Sequence, residues 1–404
     1  MTTRPACVDL FCGSGGLSEG LKLAGFLPIF AIDFDKNATA TYAKNHPETV
    51  VITKDIAALD PGEIIDAAKA IEIDLLAGGP SCQGYSTHGK RKAEDPRNFL
   101  FEHFIRIAKA LRPKWILIEN VQGLLTYNQG YFKNVILTKL QALGYHANAR
   151  ILCAADYGVP QFRRRIFFLA TRMDVAISFP APTHSENEKE GLLPYVTVGD
   201  ALGDLPSLSK SINSSKNGYA SKPKGDYQNY VRAGSSFLSL HDARKLSTQA
   251  MSIASHVKEG SGLRSVPVDF LPERFKKMRR ISDGSLRKDC TTLYYRLSRN
   301  HPAYTITCNF RNIASGPFLH PLENRSLSYR EAARLMSFQD SYEFIGSSLA
   351  RQIGNAVPPL MAKAVGEHII KLLNSKPHRE FESYLATTAL TENFECPATL
   401  RKIA

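Results

Sequence analysis

The feature that most constrains the fold is an alternation, through the first part of the chain, of short β-branched or aromatic runs with helical stretches. The runs are ACVDLF (6–11), LPIFAID (27–33), IDLLAG (73–78), WILIEN (115–120) and RRIFFLAT (164–171), and helix-like segments separate most of them. Runs as apolar as these, spaced by helices, predict an α/β protein with a mostly parallel sheet wrapped by helices. Ligands of such sheets bind beyond the carboxyl ends of the strands, so residues just after each run are the first places to look for chemistry.

From about residue 179 the texture changes to proline, serine and lysine, as in SLSKSINSSKNGYASKPKGDYQNY (207–230), with no sustained helical period. This predicts a separate, loop-rich module with short strands. Helical patterning returns in SYREAARLMSF (328–338) and after the double proline of NAVPPLMAKAVGEHIIKLL (355–373). The division expected is therefore 1–178, 179–327, 328–374 and a polar tail, 375–404. Charge says more about partners than about fold. A formal net charge of +13 points to a polyanion such as nucleic acid. Seven cysteines, an odd number without a CxxC pair, fit neither a disulfide scaffold nor a zinc site and point to a reducing compartment. The start, MTTRPACVDLF, enters a strand-like run at once and lacks a secretory pattern, so the expected location is the cytoplasm.

DLFCGSGGLSEGLKLAGF reads as strand, glycine turn and helix. Gly13, Gly15 and Gly16 permit a tight turn and close approach of a ligand to the backbone, although tight turns need glycine without any ligand. Asp33, twenty residues after Gly13, ends the second run where a carboxylate accepts both hydroxyls of a ribose. Phe34 beside it suits stacking on an adenine. Asp55 in TKDI is either an acceptor for an adenine amino proton or simply a helix N-cap. The spacing is not the phosphate-binding GxGxxG and no GxxxxGK[ST] occurs, which favours a nucleoside cofactor without phosphates.

Three further pieces fall at run ends. GGPSCQGYS (78–86) places Cys82 in a loop of glycine, proline, serine and glutamine, where a merely buried thiol is out of place. Glu119 finishes WILI and should be partly desolvated, which raises a carboxyl pKa and suits it to proton donation. QFRRR (161–165) opens a run with Arg163 and Arg165. Singly, each has a structural explanation: a core thiol, a buried ion-pair partner, a solvated basic edge. Together they read as a nucleophile, a proton donor and a cationic clamp.

The blocks DLFCGSGGLSEG, AIDFDK, KDI, GGPSCQGYS, IENVQGLL, YGVPQFRRRIFF, LSYREAARLMSF and QIGNAVPP, in this order, resemble the DNA cytosine methyltransferases that act on ring carbon 5, of the bacterial restriction-modification type. Two departures stand out: Ser81 where the family commonly has proline before the cysteine, and Tyr329 where it has proline before REAAR. The resemblance implies a doubly wound, Rossmann-like domain that binds S-adenosylmethionine, interrupted by a smaller, loop-rich target-recognition domain. It implies a cofactor pocket of Phe11, Ser14, Gly15, Gly16, Asp33, Phe34, Asp55, Ile56, Leu100, Asn355 and Ala356, and no metal. It implies double-stranded DNA as partner, a monomer, and either the modification half of a restriction system, whose endonuclease need not touch it, or a solitary methylase.

The chemistry explains the residue types. Cytosine carbon 5 is a poor nucleophile until the Cys82 thiolate adds to carbon 6. By the resemblance, Glu119 then serves ring nitrogen 3, Arg165 the carbonyl oxygen, and Arg163 either the glutamate or a phosphate. A stacked base is out of reach, so the target must flip out. The basic, glycine-containing STHGKRKAEDPRN (86–98) suits a lid beside Cys82; RFKKMRR (274–280) suits phosphates; DYQNY (226–230) or TITCNFRN (305–312) suits base reading. Alternatives are a transfer-RNA cytosine methyltransferase of the same fold and a catalytically inactive DNA-binding relative; the long insert favours DNA over RNA.

Overall fold

The computed structural model describes residues 4–80, 100–126, 130–187, 191–208, 218–277 and 292–375. Cys82, its loop and the tail lie outside them. The core is a seven-stranded sheet in the order β3-β2-β1-β4-β5-β8-β6. Its strands are β1 (Ala6–Leu10), β2 (Leu27–Asp33), β3 (Val50–Thr53), β4 (Ile73–Gly78), β5 (Trp115–Val121), β6 (His146–Cys153) and β8 (Arg164–Thr171), while the short β7 (Gln161–Phe162) pairs elsewhere. The first five strands run parallel; β8 runs antiparallel between β5 and β6. The expected runs match these strands to within a residue. Phe11 drops out of β1 because its φ of 62° turns the chain into the glycine loop.

Helices cover both faces. On one lie α3 (Pro61–Ala68), α4 (Leu100–Leu111) and α6 (Tyr131–Ala142), burying Ile64, Phe104, Ile107, Ile136 and Leu140 against the sheet. On the other lie α1 (Gly16–Ala24) and α13 (Pro359–Leu373), sharing a core with Leu75, Trp115, Leu117 and Phe167. Helix α2 (Lys36–Asn45) follows β2, and the single turn α5 (Gly123–Thr126) follows β5.

The doubly wound sheet expected from the sequence is thus present, and its strand order reverses between β1 and β4. The crevice at that reversal is where such folds bind ligands. The glycine loop leaves the end of β1 and the Cys82 loop leaves the end of β4, side by side: Leu10 pairs with Gly78. A Cβ on Gly78 would sit 2.1 Å from the Leu10 carbonyl oxygen, so glycine is what lets the strands close up there.

The later chain builds two smaller cores from short helices more than from strands: α7 (Val198–Leu202), α8 (Asp226–Arg232), α9 (Thr248–His256), α10 (Glu273–Lys276), α11 (Tyr329–Leu335) and α12 (Leu349–Asn355), with two-residue strands β9 (His184–Ser185), β10 (Leu193–Pro194) and β11 (Ala303–Tyr304). Helix α11 is buried all round. Its Arg334 pairs with Asp204 and Asp340, and its Arg330 donates to the carbonyls of Ser239, Gln339 and Tyr342, so each buried guanidinium has acceptors. Glu331 closes a capping box with Ser328 and takes a two-pronged bond from Arg325, which holds its carboxyl far below the usual range.

Candidate active site

Glu119 and Arg165 meet because β8 is reversed. In the antiparallel β5–β8 ladder Glu119 faces Phe167 and Val121 faces Arg165, so Glu119 and Arg165 lie diagonally on one face. The beginning of β8 therefore lies at the same edge as the end of β5. Arg165 Nε sits 3.0 Å from Glu119 Oε1 in a largely buried ion pair. Burial pushes the Glu119 carboxyl up, against the pull of Arg165 and then Arg163. The same burial lowers Arg165, opposed by Glu119. The result is a carboxyl held above its ordinary range with a guanidinium fixed beside it, the electrostatics a proton donor needs.

The Cys82 loop begins over this pair. Glu119 Oε2 lies 3.3 Å from where a Cβ of Gly79 would be, and Asn120 donates a 2.9 Å hydrogen bond to the Pro80 carbonyl. Cys82 itself lies outside the described residues.

Of the roles expected of Arg163, support of the glutamate is left as a charge effect, because its guanidinium is committed elsewhere. Its residue is only 2% exposed, and its guanidinium donates to the carbonyls of Ile306 (3.1 Å), Gly354 (3.1 Å) and Ala356 (2.9 Å). These acceptors leave it no phosphate-facing surface; its influence on Glu119 is through charge alone. It pins the segment after β11 and the turn after α12 to the start of β8. Gln161 reinforces the junction, donating to the Leu335 carbonyl and accepting from Ile306 N at 2.8 Å. Neither Asn120 nor Gln161 stands out in the sequence, where the only signal is an amide next to Glu119 and another two residues before Arg163.

The glycine loop divides its labour. Gly13 has φ 52° and open space where a Cβ would point, leaving its backbone approachable from the crevice. Gly15 and Gly16 face inward: a Cβ on them would meet Tyr342 Oη at 2.6 Å and the Val357 carbonyl at 2.4 Å. For these two, packing requires glycine. Ser14 is buried, its hydroxyl donating to the Gln352 carbonyl and its own carbonyl accepting from Tyr342 Oη. The loop thus rests on residues more than 300 positions away in sequence.

Asp33 stands at the end of β2 with Oδ2 accepting from Gly13 N (3.0 Å) and Oδ1 from Asp35 N (2.9 Å), its pKa raised by burial. Each oxygen keeps a lone pair for a further donor. Phe34 is 66% exposed, with the Arg351 guanidinium 5.8 Å from its ring centre. Such an exposed ring fits a stacking role. Asp55 caps a short turn through Oδ1, accepting from Ala57 N at 2.9 Å, so the N-cap reading holds for that oxygen. Ile56 is buried after it, and Arg106 of α4 donates to the carbonyls of Ile56 and Leu59, bringing the helix that starts at Leu100 to this edge. Asn355 is exposed and Ala356 half-buried, at the turn Arg163 holds.

Beneath the loop lies a buried polar cluster. Ser18 donates to Asp9 Oδ2 (2.6 Å) and Tyr42 to Ser18 Oγ (2.7 Å), while Asp9 Oδ1 has no described partner. Burial pushes Asp9 up to about 7 and His46 down to about 4. Among the described residues no three His, Cys, Asp or Glu side chains gather as a metal site, and no helix is long and apolar enough to cross a membrane.

The family model for C-5 cytosine-specific DNA methylases matches residues 6–371. The type II methyltransferase M1.HphI of Haemophilus parahaemolyticus is 34% identical over 90% of this chain and 86% of its own length. M.DdeI of Desulfomicrobium norvegicum is 35% identical over 90% and 88%. A solved E. coli structure, described as a candidate DNA modification methyltransferase encoded within a prophage, superposes with a TM-score of 0.71 at 26% identity, covering 92% of this chain and all of that one. The Dnmt2 methyltransferase of S. pombe, at 17% identity and a TM-score of 0.54 over 92% of this chain and all of its own, shares the fold alone. The chain belongs to the C-5 cytosine-specific DNA methylases: it is an enzyme, a DNA cytosine-5 methyltransferase that uses S-adenosylmethionine and acts on duplex DNA.

Proposed function

We propose that the enzyme acts on a flipped-out cytosine within a specific duplex sequence through a covalent Cys82 adduct. The Cys82 thiolate adds to carbon 6 while Glu119 gives its proton to ring nitrogen 3 and Arg165 holds the carbonyl oxygen. Carbon 5 becomes enamine-like and nucleophilic. S-adenosylmethionine supplies the methyl group when bound. Loss of the carbon 5 proton to a base then restores the double bond and expels the Cys82 thiolate, and nitrogen 3 returns its proton. The observation that carries this reading is the Glu119–Arg165 pair at 3.0 Å beside the start of the Cys82 loop. Arg163 acts as a positioning residue, its three carbonyl bonds supporting the turn at Asn355 and Ala356.

The same reading puts the cofactor in the crevice at the strand reversal. Asp33 and Phe34 take the ribose and adenine ends, the open backbone at Gly13 borders it, and Phe11, Ser14, Asp55, Ile56, Leu100, Asn355 and Ala356 line or support it; Gly15 and Gly16 keep the loop close to Tyr342 and Val357. No metal takes part. The protein works as a monomer, as the modification half of a restriction-modification system whose endonuclease need not contact it, with 179–327 as its target-recognition module. Relatives that are type II methyltransferases support this placement.

The test is trapping. Duplex containing 5-fluorocytosine carries at carbon 5 a fluorine that a base cannot remove in place of the proton, so incubation with labelled S-adenosylmethionine should leave a denaturation-resistant adduct on Cys82. An adduct on another residue, or none in protein that binds the cofactor, would overturn the mechanism. Methylation of transfer RNA and not of duplex would overturn the substrate.

A further inference from the structure

We infer that Asn309, flanked by Cys308, reads a base edge beside the flipped cytosine, a role that rests on the duplex-DNA reading above. In TITCNFRN (305–312) nearly every polar side chain is already committed. Thr305 donates to the Phe162 carbonyl, and Thr307 Oγ1 accepts from Asn309 N. Arg311 donates to Asp242 and to the Leu327 carbonyl and lies over the Tyr329 ring. Asn312 caps the turn that follows. Ile306 and Phe310 are buried. Cys308 and Asn309 remain exposed, and no described residue bonds the Asn309 side-chain amide, although its backbone carbonyl is held by Asn312 N and Ser315 Oγ.

Position supplies the second half. β11 lies parallel to β7, and the chain then passes Arg163, which bonds the Ile306 carbonyl. It next touches Gly354, where a Cβ would be 2.4 Å from Cys308 N. Arg163 is two residues before Arg165 in the chain, so the exposed pair Cys308–Asn309 follows, by two and three residues, a carbonyl held from the start of the strand that carries Arg165; on the duplex-DNA reading this puts the pair on the side of the reacting base. An amide with both donor and acceptor free is the side chain that pairs with the N6/N7 edge of adenine in the major groove, and a thiol beside it presents a small apolar contact. Arg311, the residue a charge-based reading would choose, is not available.

The test compares wild type with Asn309→Ala on a randomised duplex library, sequencing the methylated products. The expected result is unchanged cofactor affinity with about five- to 150-fold less discrimination at one base pair of the site. Cys308→Ser should alter preference at the same or the adjoining pair, and cognate duplex should slow alkylation of Cys308, followed at peptide level. Identical site preference in Asn309→Ala together with Cys308 alkylated equally fast with and without duplex overturns the inference while leaving the methyltransferase reading intact. A wild type that methylates no duplex sinks both.

Discussion

Asn120 donates its side-chain amide to the carbonyl of Pro80, joining the strand that carries Glu119 to the last described residue before the Cys82 loop. The Asn120 carbonyl oxygen accepts from Val121 N, so the amide is oriented from both ends. The strand of the proposed proton donor and the start of the proposed nucleophile's loop are therefore registered by a single buried side chain. Asn120→Ala should lower kcat about tenfold or more, in line with the ~1–3 kcal/mol cost of an unsatisfied buried carbonyl. KM for S-adenosylmethionine should hold. A variant with wild-type kcat would show that the loop needs no such tether.

Arg165 opposes the desolvation of Glu119, so removing its charge leaves burial to act alone. In Arg165→Met the Glu119 pKa should rise, and the alkaline limb of the kcat/KM profile should move to higher pH. The rate itself should fall about 10²–10³-fold if Arg165 is the donor to the base carbonyl proposed above. A limb that stays put or moves to lower pH would dissociate the two residues.

Gly20 in α1 tests the helix contact. A Cβ there would lie 2.3 Å from the Pro359 carbonyl oxygen and 2.4 Å from Ala362 Cβ. Propensity alone favours alanine in a helix by ~1 kcal/mol. The crowding should reverse that sign and destabilise Gly20→Ala by about 1–3 kcal/mol in denaturant unfolding. Stabilisation would mean that α1 and α13 have room to spare.

Asp9 and His46 impose opposite pH slopes. Asp9 rises from 3.8 to about 7 on folding, so the folded protein holds an extra proton between those values and stability falls as pH climbs through them. His46 drops from 6.5 to about 4, so the unfolded chain holds the extra proton and stability rises with pH across that window. Between about 4 and 6.5 the two oppose each other. Asp9→Asn should unmask the His46 slope, giving stability that climbs toward pH 6.5 and then levels, whereas wild type falls from there to 7. Parallel Tm curves for the two proteins from pH 5 to 8 would refute this.

The central strands and the order of motifs are legible in the sequence because their residues are apolar on both faces and leave the sheet at glycine, cysteine or charge. β6 is not: HANARILC interleaves histidine, asparagine and arginine, since an edge strand is only half covered. The partnership of Glu119 and Arg165 follows from order alone once β8 is reversed, but the reversal is set by tertiary pairing. Arg163 shows where residue type misleads. An arginine in a basic cluster implies an anion, yet here backbone carbonyls from two distant segments take all the bonds, and carbonyls leave no trace in a sequence. Likewise Gly15 and Gly16 look like ligand glycines while their neighbours are Tyr342 and Val357.

The packing of α13 against α1 carries a consequence in time. The glycine loop leaves a ribosome hundreds of residues before the groups it rests on, Tyr342, Gln352 and Val357, and before the helix that clamps Gly20. A nascent chain that already contains every strand of the seven-stranded sheet still lacks these supports of the glycine loop. Chains released before α13 is complete should have no finished crevice with which to act.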